Sequence, residues 1–203
     1  MNANTYLSAQ FGRPTGVGGR LVSLVMNRQN LPLYEAAADL LPLSDADKVL
    51  DIGCGNGFVL SMLAERSQAS FVGVDISETM VKAASRRNSR WIAEGRMAIQ
   101  VGNAASLPFP DAAFTRAFTI NTAYFWEDPD QTMVEIRRVL ANGGVFVNAL
   151  YTNETLAKFS HTQTGYKHHS VRELFNSCFR AGFEVKIVSL LDSTAYGLVC
   201  QVA

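Results

Sequence analysis

The stretch Val49-Leu50-Asp51-Ile52-Gly53-Cys54-Gly55-Asn56-Gly57 decides how the chain is read. A short apolar run ends beyond an aspartate, three glycines alternate, and an apolar helical pattern begins at Phe58. That order predicts a buried strand, a tight backbone loop and a helix N-terminus. Glycines let the backbone approach a ligand closely, and the first turn of a helix carries unsatisfied N–H groups that donate to anionic or polar partners. The junction therefore suits a nucleoside-type ligand.

Working outward, strands and helices alternate. Phe71 to Val74 reads as a second strand ending at Asp75, and Ser77 N-caps a helix to about Arg90 with Met80, Val81 and Ala84 inward. Met97 to Val101 and Ala112 to Ile120 read as strands three and four. Pro129 to Leu140 reads as a helix stopped by Asn142-Gly143-Gly144, and Val145 to Leu150 as the fifth strand. Ser170-Val171-Arg172-Glu173 forms a capping box ahead of another helix. Phe183 to Leu191 and Tyr196 to Val202 are two final strands whose short link permits only antiparallel pairing. Such alternation predicts an α/β fold, a doubly wound, mostly parallel sheet covered by helices on both faces. Upstream, residues 17–28 read as an amphipathic helix, and Asn30-Leu31-Pro32 reads as the start of a second one, closed by Pro42. Residues 151–169 read as polar and irregular.

Composition narrows the function classes. The 203 residues suit one domain, 48% of them are hydrophobic, and 18 basic side chains balance 18 acidic ones. Zero net charge does not suit a nucleic-acid surface. Cys54, Cys178 and Cys200 lack metal-ligand spacing and are odd in number, which points to no metal site and to a reducing, cytoplasmic setting. Neither a signal peptide nor a run long enough to span a bilayer is visible.

In doubly wound sheets ligands bind beyond the C-terminal ends of the strands, where strand order reverses. The loops starting at Gly53, Asp75, Gly102 and Asn121 should build one site. Phe58 stands where a dinucleotide fingerprint would carry its third glycine, which weakens a nicotinamide reading. Asp75 ends strand two, where a carboxylate accepts from two ribose hydroxyls.

With those residues in register, the sequence resembles the class I S-adenosylmethionine-dependent methyltransferases, in the small-molecule group marked by the Val-Leu-Asp-Ile-Gly-Cys-Gly-x-Gly signature. The resemblance is close over about residues 45–150. It implies a Rossmann-like sheet of seven strands, the last antiparallel, under an N-terminal helical cap. It implies a division into a cap at 1–44, a cofactor-binding core at 45–150, and a lid segment with C-terminal strands at 151–203. The cofactor implied is S-adenosylmethionine. Gly53, Gly55 and Gly57 would line its methionine and ribose part, and Asp51 would order the loop or the amino group. Asp75 would take the ribose hydroxyls, Ile76 and Met80 would pack near the adenine, and Asn103 with Ala104 would meet its amino edge. Asn121 would face the methyl group. Asn103 replaces the family's usual aspartate, and the segment Asn121 to Asp128 lacks the histidine that many relatives carry there. Tyr124, His161, His168 and His169 are the candidates for an acid or base. Tyr124, Phe125 and Trp126 are either a substrate wall or core aromatics, and the three histidines either belong to a substrate lid or are exposed loop residues. The expected activity is methyl transfer to a small-molecule acceptor, chiefly by proximity and orientation. Alternatives are a non-catalytic adenosylmethionine-binding protein, a nicotinamide-dependent oxidoreductase, and an RNA or protein methyltransferase.

Overall fold

The computed structural model describes residues 16–159, 162 and 165–203, with side chains from residue 27 onward. Its elements in chain order are α1 (Gly16–Leu40), β1 (Lys48–Ile52), α2 (Phe58–Arg66), β2 (Ser70–Asp75), α3 (Glu78–Arg87), α4 (Ser89–Ala93) and β3 (Met97–Val101). Then follow β4 (Phe114–Ile120), α5 (Pro129–Val139), β5 (Leu140–Tyr151), α6 (Asn153–Leu156), α7 (Val171–Arg180), β6 (Phe183–Leu190) and β7 (Ala195–Val202). The seven strands form one sheet in the order β3-β2-β1-β4-β5-β7-β6. Pairs from β3 through β5 are parallel, and β7 runs antiparallel to both neighbours. This is the doubly wound seven-stranded sheet expected. The chain leaves β1 in one direction to β2 and β3, then crosses back to β4 on the other side. The loops after β1 and β4 thus diverge at the point where strand order reverses.

Alternation along the strands supplies two cores. On β5, Phe146 and Leu150 face α5 and α7 and meet Met133, Ile136, Leu174 and Cys178. Val145 and Val147 face the opposite layer, with Leu60 and Leu63 of α2 and Trp91 of α4. Ala149 and Ala195 receive Leu33 and Ala37 of α1. The caps act as the sequence indicates. Ser77 accepts from the Met80 amide, Asp128 from the amides of Asp130 and Gln131, and Ser170 and Glu173 complete the capping box.

Three boundaries differ from the sequence reading. First, the break expected at Asn30-Leu31-Pro32 is absent: α1 runs through Pro32. Proline cannot donate to the Arg28 carbonyl, and in a helix interior it costs about 3 kcal/mol. Burial of Leu33, Ala37 and Leu41 against the sheet outweighs that, at about 1.5–3 kcal/mol for each leucine. Second, the helix begun at Ser77 stops at Arg87, because Asn88 turns its side chain into the glycine loop before α4 starts. Third, α5 ends at Val139, before Asn142-Gly143-Gly144. That triplet lies instead in a register shift between β4 and β5, with Gly143 in the left-handed region at φ 72°. The segment 151–169 also contains the single-turn helix α6, whose Leu156 is buried.

Candidate functional site: a cofactor pocket and a second chamber

After Ile52 the chain turns sharply, with Gly53, Gly55 and Gly57 all at positive φ, 75°, 52° and 71°. Two of them are also crowded. A Cβ on Gly53 would stand 2.5 Å from Thr122 Cγ2, and one on Gly57 would stand 2.4 Å from Asn88 Nδ2. Gly53 and Cys54 donate their amides to the Val74 carbonyl at 2.8 and 2.9 Å, which pins the turn to β2. Asp75 ties it from the side: Gly55 N–H donates to Oδ2 at 2.9 Å and Ser77 N–H to Oδ1 at 2.8 Å. From behind, Asn88 Nδ2 donates to the Gly57 carbonyl at 3.0 Å and Arg87 Nε to the Asn56 carbonyl at 3.1 Å.

The loops after β1, β2, β3 and β4 enclose a cavity of about 210 Å³. Asp51, Gly53, Gly55, Asp75, Ile76, Met80, Asn103, Ala104 and Asn121 all line it. Gly57 does not, and serves as the packing joint between loop and α3. Asp51 is 3% exposed and accepts no hydrogen bond among the described residues. Burial raises its pKa well above the ordinary carboxylate range, and the nearby Asp75 charge adds to that. Asp75 is raised too, by burial, against the two amide bonds that lower it. A buried carboxyl facing a cavity, with no donor among the described residues, suits a cationic group of a ligand. Ile76 is half exposed at the same rim, an apolar platform. The residues present fit a ligand with an ammonium, a vicinal diol and a flat base. Asn103 is less free than expected, because its Oδ1 already accepts from the Ala105 amide at 3.0 Å.

α1 roofs the cavity through Asn27, Asn30 and Tyr34, which the sequence reading did not name as site residues. Asn27 Nδ2 reaches Asn56 Oδ1 at 3.4 Å. Tyr34 lies 5.8 Å from the Phe58 ring, and burial pushes its pKa up to about 12 against a hydrogen bond with Asn30. Asn30 had looked like a helix cap, and the only signal for its placement was its position one turn before Tyr34.

A second cavity of about 320 Å³ adjoins the first and shares Asn30, Asn121 and Phe125 with it. Asn121 stands at the doorway in a left-handed conformation, φ 57°, which asparagine adopts more readily than most residues. Tyr124 lines this second chamber, its hydroxyl 3.1 Å from the Tyr151 carbonyl and 3.3 Å from Asn121 Oδ1. Burial raises its pKa well above the ordinary phenol value. Phe125 lines both chambers and Trp126 the first, while all three aromatics also pack on the core. His168 and His169 line neither chamber. The His168 carbonyl accepts from Asn153, and His169 Nε2 lies 3.2 Å from the Trp126 carbonyl. His161 lies outside the described residues.

Residues 50–148 match the family model described as "Methyltransferase domain". Among curated proteins, 27-O-demethylrifamycin SV methyltransferase of Amycolatopsis mediterranei is 30% identical over 60% of this chain, and that match spans 45% of the relative. 24-methylenesterol C-methyltransferase 2 of Arabidopsis thaliana is 32% identical over 62% of this chain and 34% of its own. The chain thus matches less than half the length of either relative. Among solved structures, geranyl diphosphate C-methyltransferase of Streptomyces coelicolor, with S-adenosyl-L-homocysteine bound, superposes with a TM-score of 0.74. That likeness covers 96% of this chain and 87% of the other at 18% identity, a likeness of fold. Glycine turn, strand-end carboxylate, strand order and family match agree: residues 50–148 carry a methyltransferase domain, and the chain has the class I, S-adenosylmethionine-dependent methyltransferase fold.

Proposed function

We propose that the protein transfers a methyl group from S-adenosylmethionine to a small-molecule acceptor. The observation that carries this reading is the pairing of the two cavities. One is built of glycine turn, Asp51 and Asp75; the other is open beside it and joined at Asn30, Asn121 and Phe125. The names of the relatives support it, since rifamycin, sterol and geranyl diphosphate methyltransferases all act on small molecules.

The methyl donor, when bound, supplies an activated methyl group on a sulfonium sulfur. The chain's own task is then alignment and exclusion of water. In this reading Asp75 holds the ribose hydroxyls, Asp51 the amino group, and Ile76 and Met80 the adenine, with Asn103 and Ala104 at its edge. Asn121 faces the transfer point. Among the described residues no imidazole or carboxylate lines the second chamber, and its phenols, protonated near neutrality in any case, are raised further by burial. The reading therefore assigns the rate to orientation. We also assign residues 1–44 as cap, 45–150 as cofactor core and 151–203 as lid with C-terminal strands. The three buried free cysteines support a reducing, cytoplasmic setting.

Calorimetry with adenosylmethionine, adenosylhomocysteine and NAD tests the proposal. Both adenosyl ligands bind and NAD does not; the reverse result makes the protein a nicotinamide enzyme. Asp75→Ala weakens adenosylhomocysteine by roughly 10–150-fold, the equivalent of about 1.5–3 kcal/mol for hydrogen bonds to a charged group. Unchanged affinity would show that the ribose assignment is wrong.

A further inference from the structure

The second chamber differs from the first in its chemistry. No carboxylate, ammonium or guanidinium of the described residues lines it; its polar groups are amides, phenols and one threonine hydroxyl. Most of those are already engaged or flat. Thr162 Oγ1 donates within the chain, with the Leu156 carbonyl at 2.6 Å and the Phe159 carbonyl at 2.8 Å. The Tyr124 hydroxyl is taken by the Tyr151 carbonyl. The Tyr166 ring stacks obliquely on Phe125 at 4.9 Å and on Tyr124 at 5.5 Å, making a continuous aromatic wall. Burial pushes the Tyr166 phenol up to about 12, so this wall carries no charge near neutrality. An ion entering such a chamber would shed its hydration without meeting a counter-charge among the described residues, whereas apolar surface gains by leaving water. At about 320 Å³ the volume lies at the lower end of small-molecule sites.

Resting on the methyl-transfer reading above, we propose that this chamber is the acceptor subsite and that the acceptor is a neutral, predominantly apolar molecule. Its apolar body lies against the Phe125–Tyr166 wall. Its nucleophilic atom reaches through the Asn121 doorway toward the donor. Among the described residues that line it none is charged, which selects against acceptors whose body carries a carboxylate, phosphate or ammonium.

The test uses the full chain saturated with adenosylhomocysteine and three probes that share one ring system. They are naphthol (neutral), naphthoate (anionic) and naphthylmethylammonium (cationic). By calorimetry near neutral pH, naphthol binds at least about tenfold more tightly than either ion. Gln29 sits on the exposed rim of the second chamber and does not line the first. Gln29→Trp fills that rim, weakens naphthol about tenfold and leaves adenosylhomocysteine affinity unchanged. Either ion binding as well as naphthol, no probe binding, or no effect of Gln29→Trp on naphthol would overturn the proposal. Failure of adenosylhomocysteine to bind in the first titration would instead remove the donor reading, and this proposal with it.

Discussion

The Asp51 carboxyl is buried beside Asp75, with no donor among the described residues to hold its charge. Its pKa is higher in the folded protein than in the unfolded chain, so the folded state keeps the proton longer. The stability linked to it is full below the ordinary carboxylate range. It is lost as the pH climbs through the raised value, after which the slope vanishes. Asp75 shifts in the same direction, so the Asp51 share is read as a difference between two proteins. Asp51→Asn and wild type should melt at similar temperatures near about pH 4, and the variant should melt higher near about pH 8. Each pK unit corresponds to about 1.4 kcal/mol, or about 3–6 °C in a chain of this size. Calorimetric melts across that range check it; equal melting temperatures at both ends would show that Asp51 carries no such strain. Under the proposed function the same substitution should also weaken adenosylhomocysteine, because it removes the carboxyl proposed to hold the ligand's ammonium.

At the scale of elements, α1 makes the clearest case. A proline in the first turn of a separate helix would be well placed, and Pro32→Ala would be neutral or mildly destabilising. In one continuous helix the same change restores a donor to the Arg28 carbonyl and removes a ring clash. Pro32→Ala is therefore expected to raise stability by about 2–3 kcal/mol in denaturant unfolding. The sheet was readable because β1, β2 and β4 are short apolar runs bounded by glycine, aspartate and asparagine, which mark their own ends. Likewise Gly53, Gly55 and Asp75 were legible as neighbours on one cavity because their placement depends on local backbone shape at fixed spacing. α1 was misread because Pro32 is a strong local signal, while the burial that overrides it is tertiary. Asn30 and Tyr34 reach the site only through where α1 lies on β5 and β7, which no local pattern states. Arg87 and Asn88 fall within the helix that the sequence extends to about Arg90, where nothing local marks a part in the glycine turn. Their bonds to the Asn56 and Gly57 carbonyls join residues 31 apart in sequence.

For the molecule as a whole, ligand binding is the measurable quantity. Adenosylhomocysteine at about 100 times its dissociation constant adds about 2.7 kcal/mol, or roughly 5–10 °C in melting temperature. Because α1 roofs the cavity through Asn27, Asn30 and Tyr34, amides of that helix should gain protection in hydrogen exchange when the ligand is present. A melt that rises with no added protection over residues 27–34 would mean that the ligand sits elsewhere. Asn30, Asn121 and Phe125 belong to both chambers, so ligands in the two can touch the same three residues. Linkage makes that relation symmetrical: whatever factor the donor lends to acceptor affinity, the acceptor returns to the donor. A common wall of three residues turns two occupancies into one equilibrium, and the order of filling into a matter of concentration.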